Sequence, residues 1–296
     1  MEYFSIKDIE NLTGIKAHTL RIWEKRYNLI VSKRKDSNHR FFDNEDLKSI
    51  LRITYLYETD FKISQIAKLS KEAIFTFTDI DYSNSKSTEA YILQLINSII
   101  EYDSNDFEKI FNTAVNQYGF ELAIAEVAYG LLRRIGLLWL TEHLIPAQEH
   151  FATNLIRSFL IKAIDELPNS TIQNSEETIL FTPLEEYHEI PLLYAQWLFK
   201  KNGKKTFYLG VNVSVEELKY CTGKRKISNL FFHLITNLTG KNLNEYVQEL
   251  IDNFPDQRLI VSSPQAKNIS NQSPNLTTIN SLDELRLFPG RFRNQE

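Results

Sequence analysis

The chain has 296 residues, against a usual ~150 per domain, so two or three domains with their own cores are expected. Its one cysteine, Cys221, can form no internal bridge and no cysteine-rich metal cage, which fits a reducing compartment. The opening Met1-Glu2-Tyr3-Phe4-Ser5 lacks the basic-then-apolar layout of a signal peptide, and no stretch approaches ~18 uncharged apolar residues. A soluble, cytoplasmic protein with no membrane partner is expected.

None of the nine glycines is one residue from another, and none precedes a Lys-Ser or Lys-Thr pair, so the dinucleotide fingerprint and the phosphate-binding loop are both absent. The net charge of -4 hides an asymmetry. Residues 1–71 carry 14 Lys or Arg against 10 Asp or Glu, net +4, which leaves 20 against 28, net -8, for the remainder. Between Lys16 and Arg40 stand Lys16, Arg21, Lys25, Arg26, Lys33, Arg34, Lys35 and Arg40 against only Glu24 and Asp36. That density is a candidate phosphate-binding footprint.

In chain order, Ser5 and Asp8 form a capping-box pattern before Ile6, Ile9 and Leu12, which predicts a short helix ending at Gly14. A second helix follows, in which Leu20, Trp23 and Tyr27 face inward and His18, Arg21, Ile22 and Lys25 face outward. Two short helices around a tight Gly turn read as helix-turn-helix. Trp23 reads as core rather than as a base-stacking ring. The basic stretch beyond Ile30 centres on the turn-forming Asp36-Ser37-Asn38 and ends at Phe41-Phe42, the pattern of a small β-wing. Asp43 then caps a helix with Glu45 and Asp46 in its first turn and Leu47, Ile50, Leu51 and Tyr55 at helical spacing. A small helix around Ile63, Ile66 and Leu69 follows.

These residues resemble the DNA-binding domain of MerR-type transcription regulators, in Ser5-Ile6-Lys7-Asp8-Ile9, Thr19-Leu20-Arg21-Ile22-Trp23-Glu24-Lys25-Arg26-Tyr27, Arg34 through Arg40, and Phe42-Asp43. Asn38 stands where that family usually has Gly, and Asn tolerates positive φ. The resemblance implies a domain over 1–75, binding double-stranded promoter or operator DNA as a homodimer or larger homo-oligomer, with the second helix in the major groove and the wing on phosphates. Its DNA-binding residues are then His18, Thr19, Arg21, Lys25, Arg26, Lys33, Arg34, Lys35 and Arg40. By side-chain type, Arg21 either reads a guanine edge or clamps a phosphate, while Lys33, Arg34, Lys35 and Arg40 suit phosphates.

The small, polar run Asp79 to Ser87 predicts a linker over 76–87. Over 88–168, four helical patterns joined by short loops predict a four-helix bundle: Tyr91, Leu93, Ile96 and Ile99; Phe107, Ile110 and Phe111; Ala123, Val127 and Leu131; Phe151, Leu155, Ile156, Phe159 and Leu160. Trp139, nine residues and then Glu149-His150 flank Pro146, where an indole, a carboxylate and an imidazole can close over a flat ligand. Taken alone, Glu149-His150 reads as a capping or surface pair. Over 176–296 strand and helix alternate: strands at Thr178–Phe181, Thr206–Leu209, Asn229–Ile235 and Arg258–Val261, helices at Ile190–Phe199, Val215–Tyr220 and Leu243–Phe254. That order predicts a doubly wound, Rossmann-like parallel α/β sheet with its ligand at the carboxyl ends of the strands. After the first strand comes Glu186-Tyr187-His188, in which a carboxylate two residues before a histidine can orient it as a metal ligand. A solvated loop histidine is the plain alternative.

Together the Trp, nine residues, Glu-His pattern and the Glu-x-His pattern resemble the cobalamin-binding module of the light-sensing MerR-type repressors of the CarH class. The resemblance implies cobalamin, in its adenosyl form, as cofactor. His188 is then the lower axial ligand of cobalt, Trp139 covers the upper face, and Glu149 and His150 complete the upper pocket. Photolysis of the cobalt-carbon bond would change oligomer state and release DNA. Three features depart from that family: Pro191 replaces a Gly three residues after the His, Ser262-Ser263 replace a Gly-Gly pair beside the cofactor, and no serine-containing loop is recognisable near His233 and Thr236. The chain therefore reads as a non-enzymatic transcription regulator. Its alternatives are a cobalamin carrier of a methyltransferase or mutase, and a regulator whose altered module binds no cobalamin and serves only for dimerisation.

Overall fold

A computed structural model describes residues 4–34, 40–58, 61–74, 87–139, 146–168, 176–236, 238 and 242–291; the side chains of residues 34, 40, 137–139 and 291 also lie outside the described part. The expected turn at Asp36-Ser37-Asn38, Lys35, and most of the expected linker fall outside it. The chain divides into two compact units, Met1–Ile156 and Arg157–Glu296.

The first unit opens on α1 (Ile6–Thr13). Ser5 Oγ accepts the Asp8 amide at 3.3 Å while the Asp8 carboxylate accepts the Ser5 amide at 2.7 Å, the reciprocal cap the sequence predicts. Gly14 closes the helix at φ 75°, its N–H bonded to Glu10 O at 2.8 Å. Helix α2 (Ala17–Ile22) continues without a break into a π-helical turn, Trp23–Tyr27, which sequence periodicity does not predict. Strands β1 (Lys33–Arg34) and β2 (Arg40–Phe41) form a two-residue antiparallel ladder, and Phe4 bridges Phe42 through bonds of 2.7 and 2.8 Å. Helix α3 (Asn44–Glu58) is capped by Asp43, whose Oδ1 accepts the Asp46 amide at 3.0 Å, and buries Leu47, Ile50, Leu51 and Tyr55. A short α4 spans Ile63–Ile66.

Four helical stretches complete this part of the chain: α5 (Thr88–Ile100), α6 (Ser104–Tyr118), α7 (Phe120–Leu122, a π-helical stretch Ala123–Ala128, and Tyr129–Trp139) and α8 (Pro146–Glu166). Tyr91, Ile96, Phe107, Phe111, Val127 and Leu131 are all buried, so the apolar periodicity marks the inward faces correctly. The helix-turn-helix packs directly on these helices. Phe4, Leu12 and Leu47 come together with Ile96, Ile99 and Ile135. At the edge of that seam Arg134 of α7 donates to Leu12 O at 2.9 Å and pairs with Glu89, and Lys48 of α3 pairs with Glu101.

The second unit is a five-stranded parallel sheet in the order β4-β3-β5-β6-β7, from β3 (Glu177–Pro183), β4 (Lys205–Val213), β5 (Asn229–His233), β6 (Arg258–Ser262) and β7 (Leu276–Ile279). Central strands buried on both faces need unbroken apolar runs, which Ile179-Leu180-Phe181, Leu230-Phe231-Phe232 and Leu259-Ile260-Val261 provide. Helices α10 (Val215–Lys224) and α11 (Leu243–Asn253) pack Leu218, Val247 and Leu250 onto Ile179, Phe181, Phe232 and Val261. Residues of the opposite parity meet α9 (Glu189–Lys201) and α12 (Leu282–Arg291): Phe199 lies 5.6 Å from Phe231 and 6.1 Å from Phe288 between ring centroids. The chain winds outward from β3 in both directions, so the carboxyl ends of β3 and β5 flank the switch point at which such sheets place a ligand. Strand β7 and helix α12 were not expected, because Thr277-Thr278 are not apolar and Pro289 interrupts the helical reading.

Gly14 gives a direct check on the first unit. A Cβ there would impose a left-handed backbone on an L side chain and lie 3.0 Å from Arg134 Nη2. Gly14→Ala is expected to cost about 1–2 kcal/mol, read as a lower urea midpoint of the full chain; an unchanged midpoint would mean that this turn is not constrained.

Candidate nucleic-acid interface and cofactor loop

On α2 and its π-helical extension, Leu20 and Trp23 are buried, and the Trp23 ring meets Tyr57 edge-on at 5.2 Å, which makes it core as expected. His18, Arg21, Lys25 and Arg26 are exposed, and Thr19 is half-buried. The Arg26 guanidinium stands 5.5 Å from the centre of the Tyr27 ring. Glu24 turns away from the basic face to accept the Ser32 amide at 3.1 Å, fixing the path from α2 to β1. Lys33 differs from the sequence picture of an open cation: it pairs with Asp43, and with Asp46 at 2.9 Å. These bonds, Asp43 first, raise its pKa, so its charge is compensated within the chain. The backbones of Arg34 and Arg40 face each other across the β1–β2 ladder. Their side chains, and all of Lys35, lie outside the described residues.

In the second unit, Glu186 follows β3 and is fully buried. One carboxylate oxygen accepts the His188 amide at 3.0 Å and lies 2.5 Å from His188 Nδ1. The other accepts the Ile235 and Thr236 amides at 2.7 and 2.9 Å and the Thr236 hydroxyl at 3.0 Å. Burial alone would raise this carboxyl; the His188 ring and the three amides outweigh it and hold the group well below the usual carboxylate range. An ionised Glu186 fixes the proton of the imidazole on Nδ1, which puts the ring's lone pair on Nε2. The His188 side chain is 51% exposed.

The surrounding loop is held with equal care. Thr182 Oγ1 donates to Glu186 O at 2.6 Å and accepts the Asn212 amide at 3.0 Å, and Asn212 Oδ1 accepts the Glu185 amide at 2.8 Å. Glu185 and Asn212 both sit at positive φ, 66° and 63°, so these side-chain bonds stabilise a strained turn beside the histidine. On the far side of His188, Glu189 accepts from Tyr208 at 3.1 Å and from Arg157 at 2.5 Å. Leu184, Tyr187 and Ile235 on the same loops present exposed apolar side chains.

No serine stands in the loop after β5, as the sequence shows; the hydroxyl that reaches Glu186 there is that of Thr236, at a spacing that only folding brings together. His233, unremarked as a site residue, is buried at the end of β5 with Nδ1 3.0 Å from Ser262 Oγ. Ser262 and Ser263 are both buried, and Ser263 Oγ accepts the Gln265 amide at 3.0 Å, so both hydroxyls are engaged inside the protein. In the first unit, Glu149 and His150 occupy the first turn of α8. Glu149 accepts the Thr153 hydroxyl at 2.9 Å and lies 3.2 Å from His150, whose side chain is 70% exposed. Trp139 ends α7, its side chain outside the described residues.

The donor set at His188 fits a metal that arrives in its own macrocycle. Among the described residues no three His, Cys, Asp or Glu side chains gather to hold a bare ion. The imidazole oriented by Glu186 is a single donor beside the exposed apolar side chains of the same loops, a set that would suit a flat, metal-bearing ring.

Known proteins supply the family. Residues 4–73 match the MerR HTH family of regulatory proteins, and residues 91–161 match the B12 binding domain. The chain is 30% identical over 110 residues to YyaN, an uncharacterized HTH-type transcriptional regulator of Bacillus subtilis, and covers 77% of it and 37% of this chain. This chain belongs to the MerR family. It joins a MerR helix-turn-helix domain to a B12 binding domain, and it is 23% identical over 221 residues, 73% of each chain, to the HTH-type transcriptional repressor CarH of Myxococcus xanthus. The Methanosarcina barkeri monomethylamine corrinoid protein shares the fold with a TM-score of 0.53 at 13% identity, covering 70% of this chain and 100% of its own. Among the described residues of this MerR regulator no helix is long and apolar enough to cross a membrane.

His233 ties the loop geometry to pH. Burial pushes its imidazole down to about 4, against an opposing pull from Glu186. An unfolded histidine takes its proton near ~6.5, so below that pH the unfolded chain binds a proton that the native chain refuses, and stability falls as pH drops towards 4. His233→Asn, which keeps a polar group for Ser262 but does not titrate, is expected to lose about 2 kcal/mol less than the parent between pH 7 and pH 5. Parallel urea melts at the two pH values check this; equal losses would mean that His233 is not held neutral.

Proposed function

We propose that the chain is a sequence-specific DNA-binding transcription regulator that binds cobalamin through its second half and uses the occupied module to set how protomers assemble. The observation that carries the cofactor reading is the Glu186–His188 pair, in which a buried, ionised carboxylate leaves a half-exposed imidazole ready to ligate. In this reading His188 would hold the cobalt through Nε2, while Glu186 keeps the proton on Nδ1 and Thr236 keeps Glu186 in place. Leu184, Tyr187 and Ile235, exposed on the same loops, would exclude water around the bound group. Trp139, Glu149 and His150 serve the opposite face of the cofactor, as the resemblance to the light-sensing repressors implies. Bound adenosylcobalamin would supply a light-cleavable cobalt-carbon bond, and thereby a response to light.

In the same reading, residues 1–75 are the DNA-binding domain. The short β1–β2 ladder is its wing and rests on phosphates through Arg34, Lys35 and Arg40; α2 lies in the major groove. Residues 88–168 form the four-helix upper part of the cofactor module and 176–296 its lower part. The protein acts in the cytoplasm as a homodimer or larger homo-oligomer on promoter DNA. A carrier subunit of a methyltransferase would have no use for the basic first domain.

Two experiments test this. Dark incubation with adenosylcobalamin followed by desalting is expected to leave corrin absorption on the parent protein, with affinity about tenfold lower in Thr236→Val and an altered spectrum in His188→Ala. Absence of retained bands rejects the cofactor reading, and an unchanged spectrum in His188→Ala removes this histidine from cobalt. On a selected promoter duplex, Arg21→Ala is expected to weaken binding by about 1–3 kcal/mol if the guanidinium reads a base, whereas Lys25→Ala is expected to reduce the salt slope by about 0.9. Indifference of the full chain to duplex DNA in dilute buffer would reject the DNA reading.

A further inference from the structure

The exposed face of α2 carries an apolar side chain that nothing in the protein covers fully. His18, Arg21, Ile22 and Lys25 fall at i, i+3, i+4 and i+7 and form one stripe opposite the buried Leu20 and Trp23. Three members are polar or cationic; Ile22 is 39% exposed. The π-helical turn that begins at Trp23 widens the helix just after Ile22, so Arg26 also follows it by about one turn. Ile22 is therefore an apolar island with Arg21 before it and Lys25 and Arg26 after it.

A basic rim around an apolar centre has a specific complement. The rim matches phosphates and base acceptors, while the centre matches an apolar group at the same depth. The major groove of duplex DNA displays one such group, the 5-methyl of thymine; the other base edges there present hydrogen-bond donors and acceptors and, at cytosine, only a small C5–H in place of the methyl. A polar edge facing Ile22 would lose water without gaining a partner, which discriminates against cytosine, adenine and guanine at that step.

We propose that Ile22 is a specificity-determining residue that packs on a thymine methyl group beside the base or phosphate engaged by Arg21. This rests on the reading of α2 as the helix that enters the major groove. It adds what that reading leaves open: the operator half-site carries a thymine whose methyl, rather than its hydrogen-bonding edge, is recognised.

The test uses the full chain and a duplex enriched by it from a randomised library. Each thymine is replaced in turn by deoxyuridine, which removes only the methyl. For the parent protein one replacement per half-site is expected to weaken binding about fourfold, the value of one buried methyl-sized group. For Ile22→Ala the same replacement is expected to cost nothing, while Ile22→Val retains most of the penalty. Thermal melts of the variants are run alongside, and the comparison is made at a temperature where each is folded, since Ile22 is partly covered. The proposal is overturned if uracil is tolerated at every position by the parent, or if the penalty is the same in Ile22→Ala. Failure to enrich any duplex instead removes the DNA-binding reading itself, so the two failures are distinguishable.

Discussion

A carboxylate with no exposed surface stays ionised only when donors surround it, and the second unit is organised to surround Glu186. Donors reach it from two separate loops, the one after β3 and the one after β5, which meet only because the sheet order puts these strands side by side. The doubly wound topology thus does more than supply a scaffold. It brings the Ile235 and Thr236 amides to a carboxylate some fifty positions earlier in the chain, and the charge they stabilise then orients His188. Removing one donor would leave a buried charge under-solvated, a penalty greater than the net worth of an ordinary hydrogen bond.

The departures at Pro191, Ser262 and Ser263 take on a different meaning in this setting. Pro191 lies in the first turn of α9, where a missing N–H costs no helical bond. Ser262 and Ser263 place hydroxyls where glycine would leave space, and that space is filled from within: Ser262 meets His233, and Ser263 ties down Gln265, whose side chain reaches the Ile235 carbonyl at 3.4 Å. The two serines therefore brace the loop that holds Glu186.

What could be read beforehand follows from how local each signal is. Ser5, Asp8 and Gly14 define α1 within a dozen residues, and the structure reproduces the cap and the stop. Glu186 and His188, two residues apart, declared their pairing directly. Thr236 did not, because a lone threonine has no sequence mark until folding brings it to Glu186. The pairing of Lys33 with Asp43 and Asp46 was hidden for the same reason: it spans the chain reversal between β1 and α3. Strand β7 escaped because its edge position relaxes the demand for apolar residues, and the two π-helical turns because they preserve the apolar period on either side.

The first unit shows how closely the helix-turn-helix and a helix of the B12 binding domain are joined. Arg134 holds the carboxyl end of α1 through Leu12 O and is itself held by Glu89, a partly buried arrangement that neither side chain maintains alone. Five residues later the same helix ends at Trp139, about 7.5 Å further along its axis. A ligand influences a distant site only through an element that has different contacts in two states. Here a helix cannot slide or rotate without breaking the Leu12 and Glu89 contacts or carrying α1 with it, and α1 is the first helix of the helix-turn-helix. The geometry thus links the basic face to this helix: a shift of α7 reaches α2 through α1 unless the contacts at Arg134 break.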